Sequence, residues 1–241
     1  MANQPVKPVF RLLLLLLVGI CSVVPRIARA QWDSKPYQQW TAKEAEVLLI
    51  NSPWAQTLSG LVSVGRLDPP TATVDTAVTV RLHSALPLRQ ALARLRQLKN
   101  KYDKKSERNK AAIDAKNKPL LECLACVDQY VATMSPGPGS SNGVPRFLQT
   151  MSLAVVKLNV HIKNEKGETR ELTDFVRPKT AGEDAVFFFS RFNSKREPLI
   201  SPANRTLTIS FDPRIFGWSP ATLTKFEFDV AKMTVKGKVV F

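Results

Sequence analysis

From residue 73 to residue 82 the side chains alternate. Val74, Thr76, Val78, Val80 and Leu82 fall on one side of an extended chain, and Thr73, Asp75, Ala77, Thr79 and Arg81 on the other. A period of two marks a strand with one buried face. Related segments follow at 127–134, 156–162, 169–172, 186–192, 207–211 and 226–230, with a last one running to Phe241. Turn-forming runs separate them, among them Asn164-Glu165-Lys166-Gly167 and the Pro- and Gly-rich stretch 135–145. Seven or eight short strands spaced this way predict a mainly β protein with α additions, an antiparallel β-sandwich of immunoglobulin-like type. The terminal Phe241, with Val239, Val235 and Met233 before it, also raises an outer-membrane barrel, but the turns are too irregular for one.

Two stretches break the strand pattern. Thr41 and Glu44 have capping-box spacing ahead of Ala45, Val47, Leu48 and Leu49, and Pro53 closes the helix they open. Trp32, Trp40 and Trp54 bracket it; they either bury it against a core or line a groove. Further on, Leu88, Ala91, Leu92, Leu95, Leu98 and Tyr102 recur at three- and four-residue steps, which predicts a helix opened by Pro87. A second helix is expected from Ser106 through Ala111, Ala112, Ile113 and Ala115. A third short piece is expected from Pro119. The predicted organisation is a signal segment 1–30, a helical segment 31–60, and a sandwich domain 61–241 carrying a helical insert at about 85–126.

Lys7 and Arg11 precede thirteen mostly apolar residues, Leu12 to Val24, followed by Pro25 and Ala28-Arg29-Ala30. This layout predicts a signal peptide cut after Ala30 and a secreted or periplasmic protein. The apolar run falls short of the roughly 20 residues of a membrane-spanning helix.

The charge is uneven. The chain has 35 Lys and Arg against 20 acids, +15; without Lys7, Arg11, Arg26 and Arg29 the balance is 31 to 20, or +11. Between Arg89 and Lys118 lie eleven bases against Asp103, Glu107 and Asp114, so most of the excess sits in the insert. Arg89, Arg96, Lys101, Lys104 and Lys105 are expected to face water and to meet an anionic membrane surface or an envelope protein. Nucleic acid is not expected as a partner, because only Tyr102 offers a stacking ring within the basic run.

Cys21 falls within the signal segment, which leaves Cys123 and Cys126. In an oxidising compartment this pair predicts a local disulfide at the junction of insert and sheet. The alternatives are a thiol-disulfide site using the same pair, or a metal held by Cys123, Cys126, His83 and His161. Val127 follows Cys126, where haem attachment requires His, and no Gly-x-Ser-x-Gly elbow or Gly-rich phosphate loop occurs. No cofactor is expected. The acid pairs Glu183-Asp184 and Glu227-x-Asp229 read as turn and strand-surface residues.

The segment containing Trp40, Thr41, Lys43, Glu44, Ala45, Ser52, Pro53 and Trp54 resembles a family of uncharacterised exported bacterial proteins. The Cys-x-x-Cys, the strand Ala185-Val186-Phe187-Phe188-Phe189 and the ending from Phe226 to Val239 are similar to it too. The resemblance implies no activity.

Overall fold

Residues 32, 34–64, 72–140, 146–180, 182–216 and 224–241 are described by a computed structural model. The expected signal segment and its cut after Ala30 lie outside them, as do residues 141–145 of the expected loop.

The first helix starts where its cap places it. The Glu44 N–H donates to Thr41 Oγ1 at 3.2 Å, and the Thr41 N–H donates to Glu44 Oε2 at 2.7 Å, which sets the N-terminus of α1 (Ala42–Ile50). Asn51 caps the other end. The expected helical segment 31–60 is shorter than predicted, because β1 (Ala55–Val64) begins inside it and pairs antiparallel with β2 (Ala72–Leu82). β1 reads Ala-Gln-Thr-Leu-Ser-Gly-Leu-Val-Ser-Val, so Gly60 interrupts the apolar row of Leu58, Val62 and Val64 that would announce it; its ladder to β2 defines it.

The insert follows β2; the segment 73–82, the first strand expected from the sequence, is thus the second strand of the fold, after β1. The insert contains α2 (Leu86–Lys99) and α3 (Glu107–Glu122) and returns through a short turn, Leu124–Val127, into β3 (Gln129–Pro136). Next come α4 (Arg146–Thr150), α5 (Leu153–Asn159), β4 (Val160–Asn164), β5 (Thr169–Arg170) and β6 (Leu172–Val176). The chain ends with β7 (Ala185–Ser190), β8 (Thr206–Phe211), β9 (Lys225–Asp229), α6 (Val230–Met233) and the hairpin of β10 (Thr234–Val235) and β11 (Lys238–Val239).

Every pairing is antiparallel. Five strands form one sheet in the order β1-β2-β3-β7-β6, and four form a second in the order β5-β4-β8-β9. The protein is mainly antiparallel β with helical additions. In the first sheet the register aligns Leu82, Ala132 and Phe187, then Val80, Met134 and Ala185, all buried. In the second it aligns Val160 with Phe211, and Ile162 with Ile209 and Phe226, also buried. Phe187 of β7 meets Phe211 of β8 edge-to-face at 5.4 Å, so the two apolar rows share one core.

Two devices tie the sheet margins. The Gln56 carboxamide of β1 accepts the Glu227 N–H of β9 at 2.9 Å and donates back to the Glu227 carbonyl, so a side chain stands in for a strand partner on an open edge. On the far side β5 and β6 are separated by Glu171 alone, and the chain passes there from the second sheet to the first.

One expected strand begins later than predicted. Residues 156–159 of the 156–162 segment are helical, the last part of α5, because Ser152 caps that helix by accepting the Val155 N–H at 3.4 Å. Leu158 is 78% exposed and breaks the alternation that seemed to join Val156 to Val160. The Asn164 turn forms as predicted. Its side chain accepts the N–H groups of Lys166 and Glu168, and Gly167 takes the left-handed φ of +82° that closes it.

Candidate functional site

The insert packs through a polar seam. On α2, Leu88 and Ala91 of the predicted stripe are buried, but so are Arg89, Arg94 and Gln97. Arg89 and Gln97 each reach a partner on α3. Arg89 donates to the Leu121 carbonyl and, at 3.2 Å, to the Ser84 carbonyl. Gln97 Nε2 donates to Asp114 Oδ1 at 2.9 Å, and Tyr102 Oη donates to Asp114 Oδ2 at 2.7 Å, which pushes the Tyr102 phenol up to about 12. Arg94 grips both oxygens of Asp103 at 3.0 Å and donates to the Trp40 carbonyl at 2.7 Å. The hydrogen bond from Arg94 holds the Asp103 carboxyl below its usual range.

Arg89 therefore does not face water. It is 6% exposed, because the last carbonyls of α3 lack helical N–H donors and its guanidinium supplies one to Leu121 at the negative end of that helix. Burial lowers its pKa, and its Nε has no partner among the described residues, like Gln97 Oε1 and Asn117 Nδ2 in the same seam. Nor does Pro119 start a new helix: it lies inside α3, which runs on to Glu122. The outward face of α3 carries Ala111, Ala112 and Ala115, the residues expected inside, while Asn117 is buried.

The other named cations are exposed. Arg96, Lys101, Lys104 and Lys105 all face water, joined by Lys99, Arg108 and Lys116. The insert's acids are engaged elsewhere: Asp103 by Arg94, Glu107 by Lys110, Glu122 by Lys118, and Asp114 by Gln97 and Tyr102. Among the described residues the exposed cations thus have no ion-pair partner, and their field extends into solvent.

Cys123 ends α3 in the left-handed region, at φ +44°, and bonds to Cys126 across the turn Leu124–Val127. The Cys126 N–H donates to the Cys123 carbonyl at 2.8 Å, and Arg191 Nη1 donates to the Cys126 carbonyl at 2.9 Å. The Arg191 guanidinium lies 5.5 Å from the Tyr130 ring, 5.9 Å from Phe241 and 6.0 Å from Phe192. Leu124 and Val127 are left 82% and 62% exposed.

The metal set is not assembled. The two sulfurs are bonded to each other, and His161 sits on the exposed row of β4. His83 is half-buried after β2, where burial and then the charges of Arg89 and Arg96 push it down to about 4. Among the described residues no group of three or more His, Cys, Asp and Glu side chains is gathered for a cation. The pair also lies at the C-terminal end of α3, where the helix dipole opposes a thiolate.

Trp40 and Trp54 are buried packing residues, Trp54 donating to the Val240 carbonyl at 2.9 Å. Trp32, edge-on to Trp54 at 5.2 Å, borders a groove of about 550 Å³ with Tyr37, Leu86 and Pro87. Glu183, Asp184, Glu227 and Asp229 are exposed, as turn and strand-surface residues are.

Fold and site together define an antiparallel β protein, with two main sheets and a two-stranded hairpin among the described residues, bearing a cationic, disulfide-clasped helical insert. Compared with known proteins, the chain matches no family model, no curated protein and no solved structure. Among the described residues no helix is long and apolar enough to cross a membrane.

Proposed function

We propose that this protein is an exported, non-catalytic binding module of the cell envelope whose helical insert docks on an anionic membrane surface. One observation carries the reading: every acid of the insert is engaged inside it, leaving Arg96, Lys101, Lys104, Lys105 and Arg108 unopposed. A basic residue held near an anionic leaflet contributes roughly 1 kcal/mol. Export is supported by the layout of residues 1–30 and by the Cys123–Cys126 disulfide, a bond that persists in oxidising compartments. The same reading accommodates kinship with the uncharacterised exported proteins that the Trp40–Trp54 segment resembles.

The test is flotation of the purified protein with vesicles of phosphatidylglycerol and phosphatidylcholine against vesicles of phosphatidylcholine alone. Association with the anionic vesicles that fades as salt rises is the expected result. No association at low salt overturns the reading and leaves an envelope protein as the partner.

A further inference from the structure

We infer that the disulfide-clasped turn is an apolar anchor, with Leu124 and Val127 entering the acyl boundary of the same anionic bilayer that the insert's cations meet. The inference rests on the membrane reading above and adds to it a second contact of different chemistry.

Exposed apolar residues are ordinary when scattered singly. Here two of them stand on one four-residue turn, and the turn cannot fold back to cover them. It is closed by the disulfide, by the Cys126 N–H on the Cys123 carbonyl, and by Arg191 on the Cys126 carbonyl. Cys126 is buried beneath while Leu124, Ala125 and Val127 are outside.

The position of the turn says what kind of surface fits. α3 has 16 residues, a rod of about 24 Å at 1.5 Å per residue. Lys104, Lys105 and Arg108 lie at its start and Leu124 just past its end. Between them the exposed residues are Asn109, Ala111, Ala112, Ala115, Lys116, Lys118, Pro119 and Glu122, small residues interleaved with one further cation, Lys116, and the ion pair Lys118–Glu122. A compact ligand cannot touch both ends, whereas a plane can. A nucleic acid offers charge with no apolar layer for Leu124, while an anionic bilayer offers both at the needed depths. The charges flanking the turn are already paired, Lys118 with Glu122 and Arg196 with Asp128, so no lone ion is carried toward hydrocarbon.

The experiment compares wild type, the double variant Leu124→Ser with Val127→Ser, and the charge variant Lys101→Gln with Lys104→Gln and Lys105→Gln on phosphatidylglycerol vesicles. The serine variant should keep the wild-type melting temperature, since both positions are exposed, and partition about tenfold more weakly. A Leu124→Trp reporter should be quenched by lipids brominated on their acyl chains. If wild type binds with the expected salt dependence, yet the serine variant binds equally and the reporter is not quenched, the anchor is wrong and the electrostatic reading stands. If the charge variant binds as wild type does while the serine variant is weakened, the electrostatic reading fails and the anchor stands. No binding by wild type overturns both and points the turn toward a protein partner.

Discussion

Arg191 Nη1 meets the carbonyl oxygen of Cys126 at 2.9 Å, which joins the residue after β7 to the turn that ends the insert. The guanidinium is half-buried among Tyr130, Phe192 and Phe241, so this bond forms in a site where water competes poorly. Arg191→Ala should cost about 1.5–3 kcal/mol, the worth of a hydrogen bond from a charged donor, and should open the chain near Leu124 to proteolysis. Urea unfolding with limited proteolysis measures both. Unchanged cleavage near Leu124 would mean that the disulfide alone fixes the turn.

The disulfide closes a loop of two intervening residues, so its effect on the unfolded chain is small. Cys123→Ser with Cys126→Ser is expected to leave the circular dichroism spectrum unchanged and to lower stability by about 2 kcal/mol or less. Thiol titration of protein prepared from an oxidising compartment should find no free thiol; two reactive thiols would return the pair to a redox role.

Phe187 and Phe211 hold the two sheets together. Either Phe→Ala change should destabilise by about 3–5 kcal/mol, because the cavity lies between layers that cannot easily collapse onto it. A double-mutant cycle should return about 0.5–1.5 kcal/mol of coupling beyond the separate losses. Additive losses would show that the rings merely fill space.

Gln56 serves β9 in place of a neighbouring strand. Gln56→Leu removes an acceptor and a donor together, with an expected cost of about 1–3 kcal/mol, and it frees the β9 edge for pairing with other chains. Light scattering after mild heating is the measurement; a variant that melts earlier but stays monomeric would show that the edge is protected by other means.

His83 sets an acid limit on the fold. Its folded pKa, about 4, lies below the unfolded 6.5, so between these values the unfolded chain binds more protons. Its contribution is complete above pH 6.5 and is lost as pH falls toward 4, because protonation puts a charge where burial disfavours it and, secondly, beside Arg89 and Arg96. Denaturant midpoints across this window should fall for wild type and fall less for His83→Gln.

The first helix and the strands with an alternating pattern were legible because their signals are local, whereas β1 and the start of β4 were not. Thr41 and Glu44 are three residues apart, and Val78, Val80 and Leu82 alternate on a buried face, although Ala77 and Thr79 of the row expected outside are buried as well. The insert's packing was not, because its decisive contacts are long-range and polar. Nothing near Arg89 announces that the Leu121 carbonyl needs a donor, and nothing near Asp114 announces Gln97. Helical periodicity assigns apolar residues inward by default, which placed Ala111, Ala112 and Ala115 on the wrong side of α3. The cations of the candidate site were visible as a composition bias. That their acids are already engaged became visible only with the side chains in place.

The most direct measurement is the dependence of vesicle partitioning on salt for wild type and for Lys101→Gln with Lys104→Gln and Lys105→Gln. With roughly 1 kcal/mol per cation, the variant should bind phosphatidylglycerol vesicles about a hundredfold more weakly and lose most of its salt dependence. Equal binding of the two proteins with the same slope would contradict an insert that docks through its unopposed charges.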